Sequence, residues 1–457
     1  MAMTVDRAAI YRTIWRWHFY AGLFVIPFVL LLAATGAAYL FKPQVERWEE
    51  RNFRTPKVEQ IVLPSAQVDA ALAAFPGARF NSYRLPERPG DAAMIHLAMP
   101  DGRAMRDVFI SPAGKVLGSL DPETRIMETI KDIHGQLLLG KRGSWLVELA
   151  ASWAMLLTLS GLYLWWPRDR RLAGVLWPRL RKGRRMFWRD LHAVTGFWIS
   201  GLVLVLLVTG LPWAGLWGSA FKTVRAELGW VKAEQDWTLG GEAPDLHAEH
   251  DHAAMVKHDG AMHHAGAAPI TGLDEIALNA QAEALAFPVT ISPPGAKGRF
   301  GKPGSSVWTV RSDAQNRPLR TTITYDPVTH RETSRDGFAD GHAVDRIVGY
   351  GIAWHEGQLF GWINQLIGVL TALGLMLMAV SGFILWRRRK PADALGAPPP
   401  ASTPARMGGV VAIMLVLAAL LPLLALSLVT LWLFERFALP HLPKFAVWLG
   451  VQSRALS

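Results

Sequence analysis

Five apolar runs of membrane length constrain the fold of this chain more than any other feature. The hydrocarbon core of a bilayer is about 30 Å thick and is crossed by about 20 residues of helix. The chain has 457 residues, of which 51% are hydrophobic and 20 are tryptophan. This composition is too apolar for an ordinary soluble protein of that length. The sequence therefore predicts a mainly α integral membrane protein built as a helical bundle.

Hydropathy and turn signals divide the chain into membrane and polar segments. Membrane helices are predicted at 1–42, 133–167, 188–214, 351–387 and 407–436. Between them lie two small α+β domains at 43–132 and 215–350, a basic loop at 168–187, a linker at 388–406 and a tail at 437–457. Strands in the two domains are predicted at Asn81–Arg84, Ala93–Met99, Arg106–Ile110, Pro288–Ser292, Ser306–Arg311 and Arg320–Tyr325.

Basic residues decide the predicted orientation. They precede the first helix and follow the second and fourth helices, and Lys/Arg-rich loops face the cytoplasm. The N-terminus is therefore predicted inside and both α+β domains outside. By parity, the C-terminus with His441 and Lys444 lies outside, unless Pro422 turns the fifth segment back. The net charge of +11 sits in these loops, so no nucleic-acid partner is expected. A signal peptide is the alternative for the first run, which is long for one.

The first four helices form two matching halves. In helices 1 and 3, His18 precedes a Thr-Gly pair at Thr35, and His192 precedes a Thr-Gly pair at Thr209 with the same spacing. In helices 2 and 4, His134 and His355 precede Ser-Gly pairs, and these two spacings are again identical. The matching spacings indicate that one unit of helix, outward domain and helix is used twice, with an extra helix at the C-terminus.

The four repeated histidines are the candidates for a functional site. In the predicted topology, His18 and His192 lie at the cytoplasmic ends of their helices, and His134 and His355 lie at the outer ends. Two facing imidazoles can supply both axial ligands of a haem, which suits electron transfer. The chain has no cysteine, so iron–sulfur clusters and covalently attached c-type haem are excluded. The pattern predicts two bis-histidine b-type haems.

Other interpretations of these residues exist. Gly22 and Gly196 lie one turn after their histidines and would let a flat macrocycle approach the backbone, but small residues also serve tight helix packing. The histidines could instead anchor at the interface, bond a neighbouring helix or relay protons. A relay is disfavoured because intramembrane acids are nearly absent, with only Glu148 and Glu356 nearby.

A polar tract at 245–266 is rich in histidine and methionine. Its tentative metal ligands are His247, His250, His252, Met255, His258, Met262, His263 and His264. This combination suits copper, zinc or iron as an additional metal. The alternative is a solvated polar tract with adventitious metal affinity.

The sequence resembles the PepSY-associated transmembrane helix proteins over about residues 10–390. The matching motifs are Trp17-His18-Phe19-Tyr20 with Gly22, Ile133-His134-Gly135-Gln136-Leu137, Ser160-Gly161-Leu162-Tyr163, Arg189-Asp190-Leu191-His192 and Trp354-His355-Glu356-Gly357-Gln358. The resemblance implies two helix–PepSY–helix repeats with periplasmic PepSY-like domains. It places the chain among iron-regulated bacterial inner-membrane proteins, some of which are di-haem ferric-siderophore reductases. The family's haem-ligand histidines carry over onto His18, His134, His192 and His355. The fifth helix and the tract at 245–266 depart from the family's simplest pattern.

The predicted function is a transmembrane haem-dependent metalloreductase. Electrons from the cytoplasmic side or from quinol would reduce a periplasmic ferric-siderophore or another oxidised metal complex. No nucleotide-binding or flavin-binding motif is visible, so the donor would be quinol or a separate reductase. The alternatives are a metal or siderophore permease, a copper-handling membrane protein without redox activity, and a sensory or inhibitory protein. Arg311 and Arg320 are candidates for attracting anionic siderophores.

Overall fold

The computed structural model divides into two compact units. It describes residues 2–54, 60–88, 90–100, 104–167, 173–179, 181, 183–230, 270–296, 305–401 and 407–451. The first unit contains residues 1–40, 131–228 and 362–457, and the second contains residues 41–130 and 229–361. The first is the helical unit, and the second contains the β-sheet.

The helical unit contains long apolar helices and several shorter ones. In chain order they are α1 (Ala2–Tyr39), the end of α4 (Ile126–Gln136), α5 (Gly140–Trp165), α6 (Arg184–Gly210), α7 (Gly215–Glu227), α10 (Trp362–Arg389), α11 (Gly408–Leu420), α12 (Pro422–Leu433) and α13 (Pro443–Leu449). Within the described ranges, five segments are long and apolar enough to span a membrane, namely Arg7–Tyr39, Gly140–Trp165, Arg184–Trp213, Trp362–Arg389 and Pro422–His441. The predicted multi-pass helical protein is therefore confirmed.

The second predicted membrane helix is interrupted near its start. The sequence predicts one helix over 133–167, but α4 ends at Gln136 and α5 begins at Gly140. Leu137 and Leu138 have positive φ angles of 52° and 58°, which no α-helix contains. His134 consequently lies on the short helix α4 rather than on the spanning helix.

The C-terminal segment reverses direction near Pro422, the alternative that the sequence left open, and does not form the single helix predicted over 407–436 on which the parity argument rests. Pro422 has no N–H and is favoured in the first turn of a helix, and here α11 ends at Leu420 and α12 starts at Pro422. The break packs against Leu211, at the end of α6 remote from the arginine-rich loop.

After this break the chain returns to the arginine-rich end of the bundle. The Tyr20 hydroxyl of α1 donates to the Leu449 carbonyl, and Arg16 donates to the carbonyl of Gly450. The Leu395 N–H in the linker after α10 donates to the Trp448 carbonyl at 2.8 Å. The segment around α13 therefore lies at the same end of the bundle as this linker, and not at the opposite end.

The described part of unit 2 contains one antiparallel sheet of eight strands. The strands are β1 (Arg79–Arg84), β2 (Ala93–Ala98), β3 (Met105–Ile110), β4 (Val116–Leu120), β5 (Val289–Ser292), β6 (Trp308–Ser312), β7 (Thr321–Tyr325) and β8 (Glu332–Gly337). Their order is β4-β3-β2-β1-β5-β6-β7-β8. The sequence predicts two separate domains, whereas β1 pairs with β5 and joins their strands into one sheet. The pairing of β1 with β5 removes one exposed edge from the group β1–β4 and one from the group β5–β8.

One face of the sheet carries the core of this unit. Tyr83, Ile95, Val108, Ile291 and Val310 are paired directly across five strands and are at most 2% exposed. Two helices, α3 (Pro64–Ala74) and α8 (Leu273–Ala282), contribute further core residues. Each buried side chain of this size stabilises the fold by about 1.5–3 kcal/mol.

The sheet unit also contains α2 (Lys42–Glu49) and α9 (Ala343–His355). A charged cluster ties the end of α2 to the sheet. Arg125 donates to Glu49 at 3.1 Å and to Glu50 at 2.9 Å, and Glu50 also pairs with Arg84 of β1 at 2.6 Å. Arg125 is only 9% exposed, and these two carboxylates compensate the cost of burying its positive charge. The cluster fixes the segment that follows α1 against strand β1.

Candidate functional site

A cavity of about 630 Å³ opens among α1, α5, α6 and α10 in the helical unit. Its volume is in the range of small-molecule and cofactor sites. It lies near the arginine-rich ends of these helices, and its lining includes His18, His192, Gly22 and Gly196. The structure therefore brings together four of the six predicted cofactor-binding residues. We call this space the His18–His192 cavity.

The ring of His192 is held in one orientation by α10. Its Nδ1 lies 3.1 Å from the Met378 carbonyl oxygen and 3.0 Å from the Ser381 hydroxyl. A carbonyl oxygen only accepts, so Nδ1 carries the proton and donates it. The other nitrogen, Nε2, then has the free lone pair that a metal requires. Such a bond to the remote ring nitrogen is the usual way to fix a metal-ligating histidine.

His18 has the same arrangement on α5. Its Nδ1 lies 2.9 Å from the Ser160 hydroxyl oxygen. The Ser160 hydroxyl donates its own hydrogen to the Leu157 carbonyl, so its oxygen accepts from His18. Ser381 likewise donates to Met378. Both histidines are therefore in the tautomer with an unprotonated Nε2, as a haem-iron ligand pair requires.

Glycines give these rings room. A Cβ on Gly161 would lie 3.3 Å from Cε1 of His18, and one on Gly382 would lie 3.3 Å from Cε1 of His192. Both distances are tighter than ordinary van der Waals contact. The Ser-Gly pairs found by spacing thus have a physical role, in which serine orients the imidazole and glycine makes space for it.

Gly22 and Gly196 differ in what surrounds them. A Cβ on Gly22 would meet only Leu157 Cδ2, at 3.8 Å, which is an ordinary contact. A Cβ on Gly196 would come within 3.0 Å of the Met378 sulfur. Helix packing therefore accounts for Gly196 as well as cofactor access does, whereas the space beside Gly22 belongs to the cavity.

His134 occupies a related setting near the other end of α1. Its Nδ1 lies 3.0 Å from the Thr35 hydroxyl, which itself donates to the Leu31 carbonyl. A Cβ on Gly36 would lie 3.1 Å from Cε1 of His134. The helix from His18 to Thr35 is about 25 Å long, because an α-helix rises about 1.5 Å per residue. The two histidines therefore mark two levels that are nearly a bilayer thickness apart.

The fourth predicted ligand, His355, is the last residue of α9 and belongs to the sheet unit. Its pairing with His134 remains a prediction from the sequence repeat. In α6, the Thr209 hydroxyl donates to Val205, as Thr35 donates to Leu31 in α1. The residues of the His/Met tract from His247 to His264 lie outside the part of the chain that the structure describes.

Aromatic and charged side chains surround the arginine-end mouth of the cavity. The rings of Trp165 and Phe197 stack with centroids 3.9 Å apart. Arg179 and Arg189 both bond the carboxylate of Asp190, at 2.6 Å and 2.7 Å for the closest contacts. This rim combines apolar faces with guanidinium groups, a lining suited to a flat molecule that carries acidic substituents.

Glu148, which the sequence identifies as an acid near the site, has a structural role. Its carboxylate accepts hydrogen bonds from the backbone N–H groups of Leu216 and Trp217, at 2.8 Å and 3.2 Å. These N–H groups open α7 and have no intrahelical acceptor. Glu148 therefore caps α7 rather than forming part of a proton path, which weakens the relay interpretation.

The family model of the PepSY-associated TM region matches residues 15–389. This chain belongs to the PepSY-associated TM family. The match includes the four repeated histidines and the whole eight-stranded sheet, and it ends where α10 ends. Helices α11, α12 and α13 of this PepSY-associated protein lie beyond the matched region. A search of curated proteins found no match.

Spacing alone did not identify every residue of the site. Ser160, Ser381 and Thr35 are visible in the repeat, but their role as hydrogen-bond partners of the histidines follows only from the folded geometry. Their constant offset from the repeated histidines was the available signal. Arg179 and Arg389 carry no such signal, because their link to the cavity depends on how distant segments pack.

Proposed function

We propose that this chain is a di-haem b-type electron conduit of a bacterial inner membrane. It reduces a periplasmic ferric-siderophore, or another oxidised metal complex, with electrons from the cytoplasmic side or from the quinol pool. One observation carries this proposal: His18 and His192 line the same cavity, and both present an unprotonated Nε2. A hydrogen bond to a neighbouring helix would account for each Nδ1 contact by itself, but bis-histidine haem ligation also accounts for two such rings lining one cavity of cofactor size.

The residues of the cavity fit a haem at the His18–His192 level. The two imidazoles would ligate the iron, Gly22 would allow close approach of the macrocycle, and Trp165 would offer an apolar face. When bound, a bis-histidine haem carries one electron between ferric and ferrous states without an open coordination site. Ser160 and Ser381 keep the rings oriented and their Nδ1 atoms protonated.

The second haem of the proposal lies at the His134 level. His355 is its proposed second ligand, because it repeats His134 in the sequence just as His192 repeats His18. In this scheme the chain consists of two helix–PepSY–helix repeats with the sheet in the periplasm, followed by the C-terminal helices. The arginine-rich end faces the cytoplasm, in agreement with the positive-inside rule.

The substrate class rests on the family resemblance and on the chemistry of the sheet unit. Siderophore complexes are frequently anionic, and Arg311 and Arg320 are the proposed attracting groups. Arg311 is held by Asp313 at 3.0 Å, and Arg320 donates to the Ala314 carbonyl. The donor is proposed to be quinol or a cytoplasmic reductase. A bound copper, zinc or iron ion in the His/Met tract is a separate proposal from composition.

The alternative function is a metal or siderophore permease, or a copper-handling protein without redox activity. The helix break at Leu421–Pro422 is the feature that favours it, since transporters use broken helices. However, the break packs against Met155 and Leu211, which lie in an apolar cluster that is unsuited to binding a charged metal complex. The conduit therefore accounts for more of the observed geometry.

Anaerobic mixing of the reduced protein with a ferric complex tests this function. Purified full-length protein, reduced stoichiometrically, is mixed with a trihydroxamate ferric siderophore while the haem Soret band is followed. The account predicts haem reoxidation, with one Fe(II) trapped by a ferrous chelator for each electron released. The gallium(III) complex of the same siderophore is the matched control, because gallium(III) is not reduced under these conditions. Haem that stays reduced with both complexes contradicts the proposal. If the protein binds both siderophore complexes and its haem is not oxidised by either, a permease is favoured.

A further inference from the structure

Arg389, the last residue of α10, lines the His18–His192 cavity. Its guanidinium carbon lies 5.2 Å from the ring centroid of Trp15 and 5.0 Å from that of Phe19. These two aromatic residues flank His18 on α1, with Phe19 directly after it. The charged end of Arg389 is therefore held beside His18 on α1, rather than pointing away from the bundle.

The two other arginines of the cavity have a carboxylate, and Arg389 has none among the described residues. Arg179 and Arg189 share Asp190 through several hydrogen bonds. The contacts described for Arg389 are the faces of the two rings, which stabilise a cation without using its N–H donors. A guanidinium has five N–H donors in one plane and is always charged. The described residues give those donors no carboxylate, and because Arg389 is exposed and lines the cavity, they can reach a ligand in it as well as solvent.

We propose that Arg389 anchors a carboxylate of the molecule that occupies this cavity, namely a propionate of the haem ligated by His18 and His192. This inference rests on the proposed function. A guanidinium matches a carboxylate through two parallel N–H···O bonds, and the rings of Trp15 and Phe19 fix its plane. Arg389 is thus a positioning residue, which sets how the macrocycle enters and how firmly it stays.

The same contact has an electrostatic consequence. Haem reduction adds one negative charge to the macrocycle, and a nearby guanidinium stabilises that charge in a site of low dielectric. Arg389 therefore raises the midpoint potential of this haem relative to a chain without the arginine. The proposed ligand His134 contacts Thr35, which lies about 25 Å along α1 from His18. The midpoint potential of the haem at that level therefore serves as an internal reference.

Three full-length variants test the proposal. Arg389→Gln removes the charge, and Arg389→Lys keeps the charge but loses the planar donor pair. Arg388→Gln is the matched control, because Arg388 is the adjacent residue, is exposed and does not line the cavity. The readouts are the rate of haem transfer to excess apomyoglobin and a spectroelectrochemical titration of both haems.

The expected effect is confined to one haem. We expect Arg389→Gln to lose the His18–His192 haem about tenfold faster, the order of effect that follows from removing a hydrogen bond between charged groups. That haem alone also acquires a lower potential. Arg389→Lys lies between Arg389→Gln and the native protein, and Arg388→Gln matches the native protein.

The outcomes separate this inference from the function on which it rests. If the native protein contains no haem, the proposed function fails and the inference fails with it. If the native protein contains haem but the Arg389 variants match Arg388→Gln in both readouts, only the Arg389 inference is overturned. Equal loss of both haems in Arg389→Gln and Arg389→Lys also overturns it, because a general packing defect would then explain the result.

Discussion

His192→Ala is expected to halve the haem content of the protein, from about two haems per chain to about one. The His192 ring is the only group of α6 in the described part of the cavity that offers an imidazole nitrogen. Alanine would remove one proposed axial ligand, and His18 alone would hold a b-type haem weakly because no covalent bond would support it. The His134 level is about 25 Å away along α1 and is expected to keep its haem. A pyridine haemochromogen assay per mole of chain measures the change.

Two companion variants make this result specific. Ser381→Ala keeps the imidazole but removes its hydroxyl partner, while the Met378 carbonyl remains at 3.1 Å from Nδ1. It is expected to retain both haems, with the affinity for one weakened by about tenfold or more. His134→Ala is expected to remove the other haem. If His192→Ala and His134→Ala deplete the same haem, as judged from its potential and spectrum, the proposed ligand pairing is wrong.

Gly22→Leu is expected to exclude haem from the His18–His192 cavity while leaving the helical bundle assembled. The first atom of the new side chain meets protein only at 3.8 Å, so the leucine extends into the cavity rather than into a neighbouring helix. The leucine side chain would therefore compete with the macrocycle for space. When no macrocycle is bound, the side chain would add apolar contacts inside the cavity. The measurement is haem content together with the thermal stability of the purified protein.

Gly201→Leu is the matched control for this steric test. Gly201 is also in a membrane helix, is exposed, and has no atom within 4 Å of an added Cβ among the described residues. It does not line the cavity, so Gly201→Leu is expected to keep both haems. Normal haem content in Gly22→Leu would show that the cavity beside Gly22 is not where the macrocycle lies. Loss of haem in both variants would indicate a general effect of bulky residues in the bundle.

Much of the architecture could be predicted from sequence because it depends on local signals. Hydropathy located the long helices, and all six predicted strands are present, because short alternation of apolar and polar residues is a property of the strand itself. The two edge strands were not predicted. Gly118 interrupts the pattern in β4, and β8 is almost entirely polar and exposed. Edge strands commonly have such sequences, which protect a sheet from pairing with another chain.

Other features depend on distant contacts and have no local signature. The C-terminal reversal is completed by hydrogen bonds from Arg16 and Tyr20, near the start of the chain, to backbone carbonyls near its end. The pairing of β1 with β5 joins strands from the two predicted α+β domains, which are separated in sequence by α5 and α6. At the site, spacing identified the histidines because they repeat, whereas Arg389 became a candidate only when its contact with Trp15 and Phe19 was known.

The absorption spectrum of the purified full-length protein tests the central claim most directly. Nε2 lone pairs on His18 and His192 at one cavity, together with the repeat that relates His134 to His355, predict six-coordinate, low-spin b-type haem. The expected content is about two haems per chain, both reducible and both unreactive toward carbon monoxide, since no coordination site is open. Protein that contains no haem, or a five-coordinate high-spin haem that binds carbon monoxide, would contradict the account.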